Sequence, residues 1–407
     1  MLCERKRSNK MEQTVTIKVK LLKKHVPEFD ELTKRFSEVC NYISQWIFDH
    51  DFELNQAVIN KALYYYLRKT YKIKSQLTQS AIRATVAKYK AVKTQFKKRP
   101  FKYYDKTTDK VYYVKRDLHW LQKPIYFKQP QADLQRNRDW SLVDGQLSLN
   151  TLKDRVKTNY VCHGFDQYKD WKYGIGKLLK RNNTWYFYVS ATKKIPDYQI
   201  SSTKHVVGID RGLRFLATCY DEHGKVRFYN GHKVMQTRHK YKKLRAILQA
   251  KGTKSAKRLL KKIGNRENRW MSDVNHCLSK ALVHQYGKNT LFVLEDLTGV
   301  TFNTTKKRKK ENRYEHNSWA FYQLEQDLTY KANLNGSHVI EVPAEYTSQR
   351  CIKCGRINKE NRDHDLHSYK CDRCGYKSND DRLAAMNIQL LGTEYVSGNK
   401  QPRFVVS

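Results

Sequence analysis

The residues best suited to chemistry lie near the end of the 407-residue chain, where four cysteines form two CxxC pairs. Cys351 and Cys354 make the first pair, and Cys371 and Cys374 make the second. One CxxC turn can present two thiolates to a single tetrahedral ion, so the two pairs predict a four-thiolate zinc site. Such a site has no open position, and the predicted zinc is therefore structural. A redox dithiol pair is the alternative for the same spacing.

Three acidic residues on separate predicted elements could serve a second metal site. Asp210 and Glu295 each end an apolar strand-like run, and Asp381 opens a predicted helix seven residues after the last paired cysteine. Phosphodiester hydrolysis needs an activated water and a stabilised leaving oxygen. Two divalent ions about 3.5–4 Å apart, held by shared carboxylates, provide both. We therefore predict that these carboxylates hold two Mg²⁺ (or Mn²⁺) ions, provided that their elements converge at one edge of a sheet.

Several neighbouring residues have simpler interpretations that stay open at this point. Asp381 could cap its helix instead of binding a metal, because Asp is common at helix starts. His364 and His367 lie between the cysteine pairs and are predicted to be ordinary loop residues, since four cysteines already complete a zinc site. Other acidic residues compete for the metal-binding roles: Asp380, Glu345 and Asp296.

The charge of the chain indicates a polyanionic partner. Eighty Lys and Arg stand against 39 Asp and Glu, which gives a formal net charge of +41. Such an excess repels itself unless phosphates neutralise it, so nucleic acid is the expected partner. The chain has no apolar run long enough for a membrane span and no apolar stretch near its start that would predict a secretory signal. The five unpaired cysteines are scattered, which favours a reducing, cytoplasmic compartment.

The hydrophobic patterns predict a mixed architecture of strands and helices. A strand is predicted at 14–24, helices at 27–47, 55–69 and 78–97, and a β-rich region at 98–200 with a hairpin through Asn182 and Asn183. After 203 the pattern predicts strands at 205–220, 225–230, 289–295 and 338–342, basic helices over 236–285, and helices at 318–334 and from 381 onward. A highly charged segment at 301–316, including Lys306–Lys310, predicts a loop. Alternating strands and helices indicate an α/β layer with a buried sheet.

Four motifs closely resemble the transposon-associated TnpB (OrfB) family, which also gave rise to the compact type V CRISPR effectors. In chain order they are Gly208–Leu213 (GIDRGL), Leu294–Leu297 (LEDL), Tyr346–Gly355 (YTSQRCIKCG) and Asp381–Ile388 (DRLAAMNI). The specific resemblance covers about residues 205–390, whereas the N-terminal half matches only the layout of the family.

The resemblance implies a multidomain α+β protein with an RNase H-like RuvC nuclease. It implies a wedge-like β-barrel over 1–26 and 98–203, a helical recognition domain over 27–97, RuvC segments over 204–345 and 379–392, a zinc insertion over 346–378 and a C-terminal tail over 393–407. It implies that Asp210, Glu295 and Asp381 bind the catalytic metal ions. It also implies a guide RNA, a double-stranded DNA target with a displaced single strand, and recognition of a short motif beside the target, as in other guided effectors.

The chain departs from the family pattern at two places. Leu383 stands where the family usually has Asn; that position is not a metal ligand, so we expect activity to survive. The basic segment over residues 1–12 is not a family motif. Two other functions remain possible, namely a guided DNA-binding repressor that does not cleave and a transposase-type protein that works without a guide.

Overall fold

A computed structural model shows how these segments fold, and it describes residues 11–22, 26–105, 107–162, 164–297, 321–363 and 366–405. The chain divides into two compact units, one formed by Thr14–Lys193 and the other by Met1–Gln13 with Lys194–Ser407. Both units contain helices and strands, so the predicted mixed α/β, multidomain character is confirmed. None of the helices in the described ranges is long and apolar enough to cross a membrane.

The described residues of the first unit form three α-helices and ten strands. In chain order they are β1 (Met11–Leu21), α1 (Pro27–Asp49), α2 (Gln56–Tyr71), α3 (Ser75–Lys98), β2 (Phe101–Asp105), β3 (Lys110–Val114), β4 (Gln131–Leu134), β5 (Trp140–Val143), β6 (Gln146–Asn150), β7 (Arg155–Thr158), β8 (Tyr160–Val161), β9 (Lys172–Arg181) and β10 (Thr184–Ile195). The three helices lie within three residues of their predicted bounds. Pro27 fits the first turn of α1, and the Asn55 side chain caps α2 by accepting from the Ala57 N–H.

The described strands of this unit form three separate sheets. Five strands are ordered β4-β9-β10-β1-β8, three are ordered β5-β6-β7, and β2 pairs with β3. The predicted hairpin between β9 and β10 is confirmed, with Thr184 opposite Arg181. Asn182 and Asn183 both have positive φ in its turn, a conformation that Asn tolerates better than most residues. The β-rich character is confirmed, while closure into a wedge-like barrel stays a prediction.

The second unit is built on a five-stranded sheet. Its elements are β11 (His205–Asp210), β12 (Phe215–Tyr220), β13 (Val226–Asn230), α4 (His232–Lys251), α5 (Lys254–Tyr286), β14 (Thr290–Asp296), α6 (Phe321–Leu334), β15 (His338–Pro343), β16 (Arg362–Asp363), β17 (Ser368–Lys370), β18 (Lys377–Asn379) and α7 (Asp380–Val396). The sheet order is β13-β12-β11-β14-β15, with antiparallel pairing through β13, β12 and β11 and parallel pairing of β11 with β14 and of β14 with β15.

Two predictions on this unit need correction. The run at 205–220 is two antiparallel strands rather than one, since the chain turns between Asp210 and Phe215. The last helix begins at Asp380, one residue before its predicted start. The predicted loop at 301–316, with Lys306–Lys310, and most of the N-terminal basic segment lie outside the described residues.

The two faces of this sheet bury different helices. Val207 and Ile209 of β11 belong to a core that also contains α5 and α6 residues such as Leu282 and Leu328. Val206, by contrast, belongs to a core shared with Ile388 and other residues of α7. Because successive strand residues point to opposite faces, this division decides where each polar residue at the strand ends is directed.

Candidate active site and metal centre

Asp210 and Glu295 lie at the same edge of the sheet and on the same face. In the parallel pairing of β11 with β14, Ile209 is opposite Leu294, so the two acidic residues each follow by one position. Asp210 alternates with Ile209 and therefore shares the α7 face with Val206. The same alternation places Glu295 on the α7 face. Ligand sites in open α/β sheets commonly form at the carboxyl ends of such strands.

Two glycines allow α7 to pack closely on this face. A Cβ added at Gly208 would lie 2.3 Å from the Ala385 carbonyl oxygen and 2.4 Å from the Gln389 nitrogen. A Cβ added at Gly392 would lie 2.4 Å from Cγ2 of Val293. The absence of a side chain at both positions lets the helix lie directly against β11 and β14. This packing brings the first turn of α7 towards the edge where Asp210 ends its strand.

Asp381 lies in the first turn of α7 and does not cap it. The cap is Asn379, whose Oδ1 accepts from the Arg382 N–H at 3.0 Å. The Asp381 N–H donates to Oδ1 of Asp380 at 2.9 Å. The helix-cap interpretation of Asp381 is therefore wrong, because Asn379 performs that role.

The three carboxyl groups affect one another electrostatically. Burial raises the pKa of Asp210 well above its usual range, and the nearby Glu295 and Asp381 add to the rise. Burial also raises the pKa of Glu295 and of Asp381. Charged carboxylates crowded in this way are stabilised by a bound cation, which is the chemical fit expected of a metal site.

A hydroxyl group and an arginine hold Glu295 in place. The buried Thr347 donates its hydroxyl hydrogen to Oε1 of Glu295, a contact that opposes the rise in the carboxyl pKa. Arg211 donates from Nη2 to the Glu295 carbonyl and from Nη1 to Oε2 of Glu325 on α6 at 3.0 Å. The Arg211 side chain is only 1% exposed. It therefore connects the ends of β11 and β14 with α6 inside the fold.

Asn387 of α7 fixes the segment that carries Thr347. It is fully buried and donates from Nδ2 to the carbonyls of Thr347 and Arg350, both at 2.8 Å. Its Oδ1 accepts from Nη1 of Arg350 at 3.3 Å. One amide of α7 thus satisfies two carbonyls of the chain that leads into the first cysteine pair.

Asp380 is buried and forms an ion pair. Arg362 of β16 donates to its Oδ2 from both Nε and Nη2 at 2.9 Å, and Asp380 has no exposed surface. Nδ1 of His367 lies 3.5 Å from Oδ1 of the same carboxylate. His367 lies in the turn before β17, as predicted, and borders the start of α7; His364 lies outside the described residues.

The other two competing carboxylates lie elsewhere. Glu345 is exposed, and Asp296 follows Glu295 on the strand and so points to the opposite face. On that face, partial burial, the neighbouring Glu325 and the charge of Asp296 together raise the pKa of Glu341 to about 7, although Arg211 opposes the rise. Asp296, Glu325 and Glu341 form a second acidic group beside Arg211, on the α6 side of the sheet.

Three tight groups of metal-ligating side chains occur among the described residues, each with its ligand atoms within 4.8 Å of one another. They are the four paired cysteines, the set His367, Asp380 and Asp381, and the set His205, Glu222 and His223. Asp210, Glu295 and Asp381 do not form a group this tight. A two-metal site does not require it, because ligands on opposite sides of two ions about 4 Å apart are spread more widely.

The four cysteines have the geometry of a zinc knuckle. Sγ atoms of Cys351 and Cys374 are 3.6 Å apart, as are those of Cys354 and Cys371. Zn–S bonds of about 2.3 Å at tetrahedral angles put sulfurs about 3.8 Å apart, so these residues fit a zinc ion.

The two cysteine turns have the same hydrogen-bond pattern. Gly355 and Gly375 each donate from the backbone N–H to the carbonyl of the first cysteine of their pair, at 2.9 and 3.0 Å. Both glycines have positive φ, which the turn requires and which glycine adopts without strain. The two turns are therefore equivalent halves of one four-cysteine cluster, whose geometry fits a metal ion.

The residues that support the site were not assigned roles from the sequence. Arg211, Thr347 and Asn387 all lie within the motifs that carry the resemblance, and Thr347 lies four residues before the first cysteine. Arg362 carries no signal at all, since it is one basic residue among 80. Their partners are 18 to 114 positions away, so only the folded chain identifies them.

Two family models match the parts of the chain that contain the candidate site. A family model described as "Probable transposase" (OrfB) matches residues 190–299, and one described as "Cas12f1-like, TNB domain" matches residues 321–388. A TnpB-like protein of Methanocaldococcus jannaschii is 25% identical over 57% of this chain and 84% of its own length. The resemblance to the TnpB family is confirmed. A CRISPR-associated endodeoxyribonuclease Cas12f1 of Sulfoacidibacillus thermotolerans is 29% identical over 52% of this chain.

The similarity to the Cas12f1 protein covers only part of that protein in sequence, whereas the similarity of fold to a solved Cas12 structure extends further. The chain spans 51% of the length of that Cas12f1 protein. A solved structure of CasPhi-2 (Cas12j) bound to crRNA and phosphorothioate-DNA covers 96% of this chain and 93% of its own, with a TM-score of 0.51 and 11% identity. The fold is therefore similar to that of a Cas12 effector across nearly the whole chain.

Proposed function

We propose that this chain is an RNA-guided DNA endonuclease in which Asp210, Glu295 and Asp381 hold two Mg²⁺ (or Mn²⁺) ions. The observation that carries the proposal is the convergence of these carboxylates at one sheet edge. Two come from neighbouring parallel strands, and the third comes from a helix that packs on β11 at Gly208. Burial is the largest cause of the raised pKa of each carboxyl group, and the charges of Glu295 and Asp381 add to the rise at Asp210. A bound cation would offset both effects.

The order of the strands supports a RuvC-like, RNase H-type core. Such a core has three antiparallel strands followed by parallel strands joined through helices. Here β11, β12 and β13 are antiparallel, and β14 and β15 extend the sheet in parallel beside β11. In the same proposal the cysteine knuckle is a structural zinc insertion, and residues 27–97 and the wedge-like strands of the first unit contact nucleic acid.

The residues of the chain have distinct roles in this mechanism. Two divalent ions, when bound, would lower the pKa of the attacking water and stabilise the leaving oxygen. Thr347 keeps Glu295 oriented through its hydroxyl hydrogen bond, and Asn387 keeps Thr347 in place. Arg211 holds the ends of β11 and β14 together. The nuclease elements thus remain positioned without help from the substrate.

The partners follow from the charge and from the relatives. A net charge of +41 suits a protein that holds a guide RNA together with its DNA target. In such proteins base pairing reads the target sequence, while the protein contacts the backbones and a short motif beside the target. The relatives are named as an endodeoxyribonuclease and as a TnpB-like protein.

The test begins with expression of the gene together with its flanking DNA. The RNA that co-purifies is sequenced, and the complex is then incubated with plasmids that carry the target and a randomised flanking sequence. We expect one discrete RNA species and metal-dependent cleavage that Asp210→Asn abolishes. Glu345→Gln removes an exposed carboxylate with the same change in charge and should cleave normally.

The outcomes separate this proposal from its alternatives. Guided binding without cleavage by the unaltered protein would favour a DNA-binding repressor. Strand joining without any specific RNA would favour a transposase-type activity, the one named by the family model over residues 190–299. Cleavage that survives Asp210→Asn would contradict the assignment of the nuclease site.

A further inference from the structure

The hairpin formed by β2 and β3 exposes nearly all of its side chains. Every residue of β3 and four of the five in β2 are exposed, and in the described part of the chain the two strands pair only with each other. We call this pair of strands the aromatic hairpin. An isolated two-stranded hairpin has little stability of its own, and exposed apolar side chains in a cluster usually mark an interaction surface.

One face of the aromatic hairpin carries a row of rings. Tyr103 and Tyr112 are paired across the strands, with ring centroids 5.4 Å apart and planes 22° apart. Phe101 stacks beside Tyr103 at 6.4 Å, and Trp120 lies 5.5 Å from Phe101. Each of these four rings keeps between 38% and 45% of its surface exposed. The row therefore offers flat aromatic surface to a partner.

The base of the aromatic hairpin is anchored to α3. Arg116 follows β3 and donates from Nε and Nη2 to the Arg99 carbonyl at 2.9 and 2.6 Å. Its guanidinium also lies 4.8 Å from the centre of the Phe96 ring. These contacts hold the hairpin at the end of the helix. They therefore fix the position of the aromatic row relative to α3.

The charge around the rings is strongly positive. Residues 97–116 contain eight Lys or Arg and two Asp, a net charge of +6. Both acidic side chains are engaged locally, since Asp105 accepts from the Thr107 N–H and Asp109 accepts from the Tyr104 hydroxyl. Rings that stack on bases and cations that contact phosphates are the two components of single-strand recognition.

We propose that the aromatic hairpin is a stacking platform for unpaired bases of the RNA that the protein carries. RNA is the occupant because the rings would otherwise stay exposed whenever no target is bound, and a guide is the partner that remains bound between targets. This inference rests on the proposed RNA-guided function, and it adds a specific contact to it. Phosphates would meet the surrounding lysines and arginines, while the bases lie against Tyr103 and Tyr112.

The first test compares the full-length protein, freed of cellular RNA, with a Tyr103→Leu/Tyr112→Leu variant. Binding is measured by fluorescence anisotropy with an adenosine RNA of about 12 nucleotides, and with an RNA of the same length in which the bases are absent. Stacking is worth about 1–3 kcal/mol per base, so we expect an affinity loss of about tenfold or more for the first RNA. The abasic RNA should bind both proteins equally, because no cation is changed.

Two further variants and two further measurements serve as controls. Tyr65→Leu/Tyr126→Leu removes two rings of the same unit that are 81% and 75% exposed and should leave binding unchanged. Tyr103→Phe/Tyr112→Phe keeps the rings and should retain the affinity. Melting temperatures of all variants should agree, because the altered residues are exposed. The slope of affinity against salt should also be the same in all of them.

The second test maps the contact in the native complex. Ultraviolet cross-linking of the co-purified RNA, followed by peptide mass spectrometry, should identify peptides that contain residues 101–114. An equal loss of affinity for both RNAs, no loss at all, or cross-links from this hairpin to target DNA alone would overturn the proposal. If guided cleavage is observed while the leucine variant binds RNA normally, the platform is wrong and the nuclease proposal stands.

Discussion

The ion pair between Arg362 and Asp380 should be decisive for the position of Asp381. Arg362→Met removes both 2.9 Å contacts to a carboxylate that has no exposed surface. Removal of one partner of a buried pair costs about 3–5 kcal/mol, because the remaining charge stays buried. His367 lies 3.5 Å away and can offset part of this loss. We therefore expect a cost near the lower limit, about 3 kcal/mol.

Hydrogen exchange of the native protein is the suitable assay, because a chain of two units need not unfold in one step. In peptides that cover residues 377–396, a loss of about 3 kcal/mol lowers the protection of amides that exchange by local opening about 150-fold. Arg356→Met is the matched control. Its partner Asp372 is 3.5 Å away, and both side chains are substantially exposed, so its cost should be below about 1 kcal/mol.

A double variant tests whether the buried charge is the cause. Arg362→Met/Asp380→Asn removes the unpaired charge but keeps an oxygen that can accept from the Asp381 N–H. It should recover most of the lost protection, as expected for two residues that act through one interaction. DNA cleavage should also be reduced by Arg362→Met and largely recovered in the double variant, since Asp381 lies next to Asp380. If Arg362→Met costs no more than Arg356→Met, the pair does not hold the start of α7.

Three other predictions concern the helix contact, the second acidic group and the zinc site. Gly208→Ala should cost about 1–3 kcal/mol and reduce cleavage, because its Cβ would press on the α7 backbone, whereas Gly264→Ala, with open space around it, should not destabilise. Glu341 has a pKa of about 7, above the usual 4.5, so folding favours its protonated form and stability falls as pH rises from about 4.5 to about 7. Because the Glu341 side chain is largely exposed, this fall in stability should be at most about 1 kcal/mol. Glu341→Gln should remove the fall, which melting curves recorded at several pH values would measure. Cys354→Ser should lower the bound zinc measured by elemental analysis, while the exposed Cys277→Ser should leave one zinc per chain.

Much of this architecture was predictable because local signals were strong. The three helices of the first unit and the hairpin through Asn182 and Asn183 agree with their predicted positions. The spacing of the four cysteines required a common site, and their sulfurs are 3.6 Å apart in pairs. In each case the signal lies within a few residues, as a helical period, a turn residue or a ligand spacing.

The exact start of the last helix was not predictable in the same way. Asn379, Asp380 and Asp381 can all serve as caps, and the sequence does not distinguish them. The Asp380 side chain is buried and paired with Arg362, so it does not cap the helix, and the Asn379 side chain forms the cap instead. Asp381 is left as the open carboxylate. The choice depends on a residue of the zinc knuckle 18 positions earlier.

The sequence by itself determined which residue types could hold metal ions and which segments form strands and helices. It could not determine the face on which Asp210 and Glu295 lie, because both strands are apolar on both faces and show no alternation. Tertiary packing decided this: α7 lies against Gly208 on one face, and α5 and α6 cover the other. The same packing directed Asp296 away from Glu295, since neighbouring residues of a strand point to opposite sides.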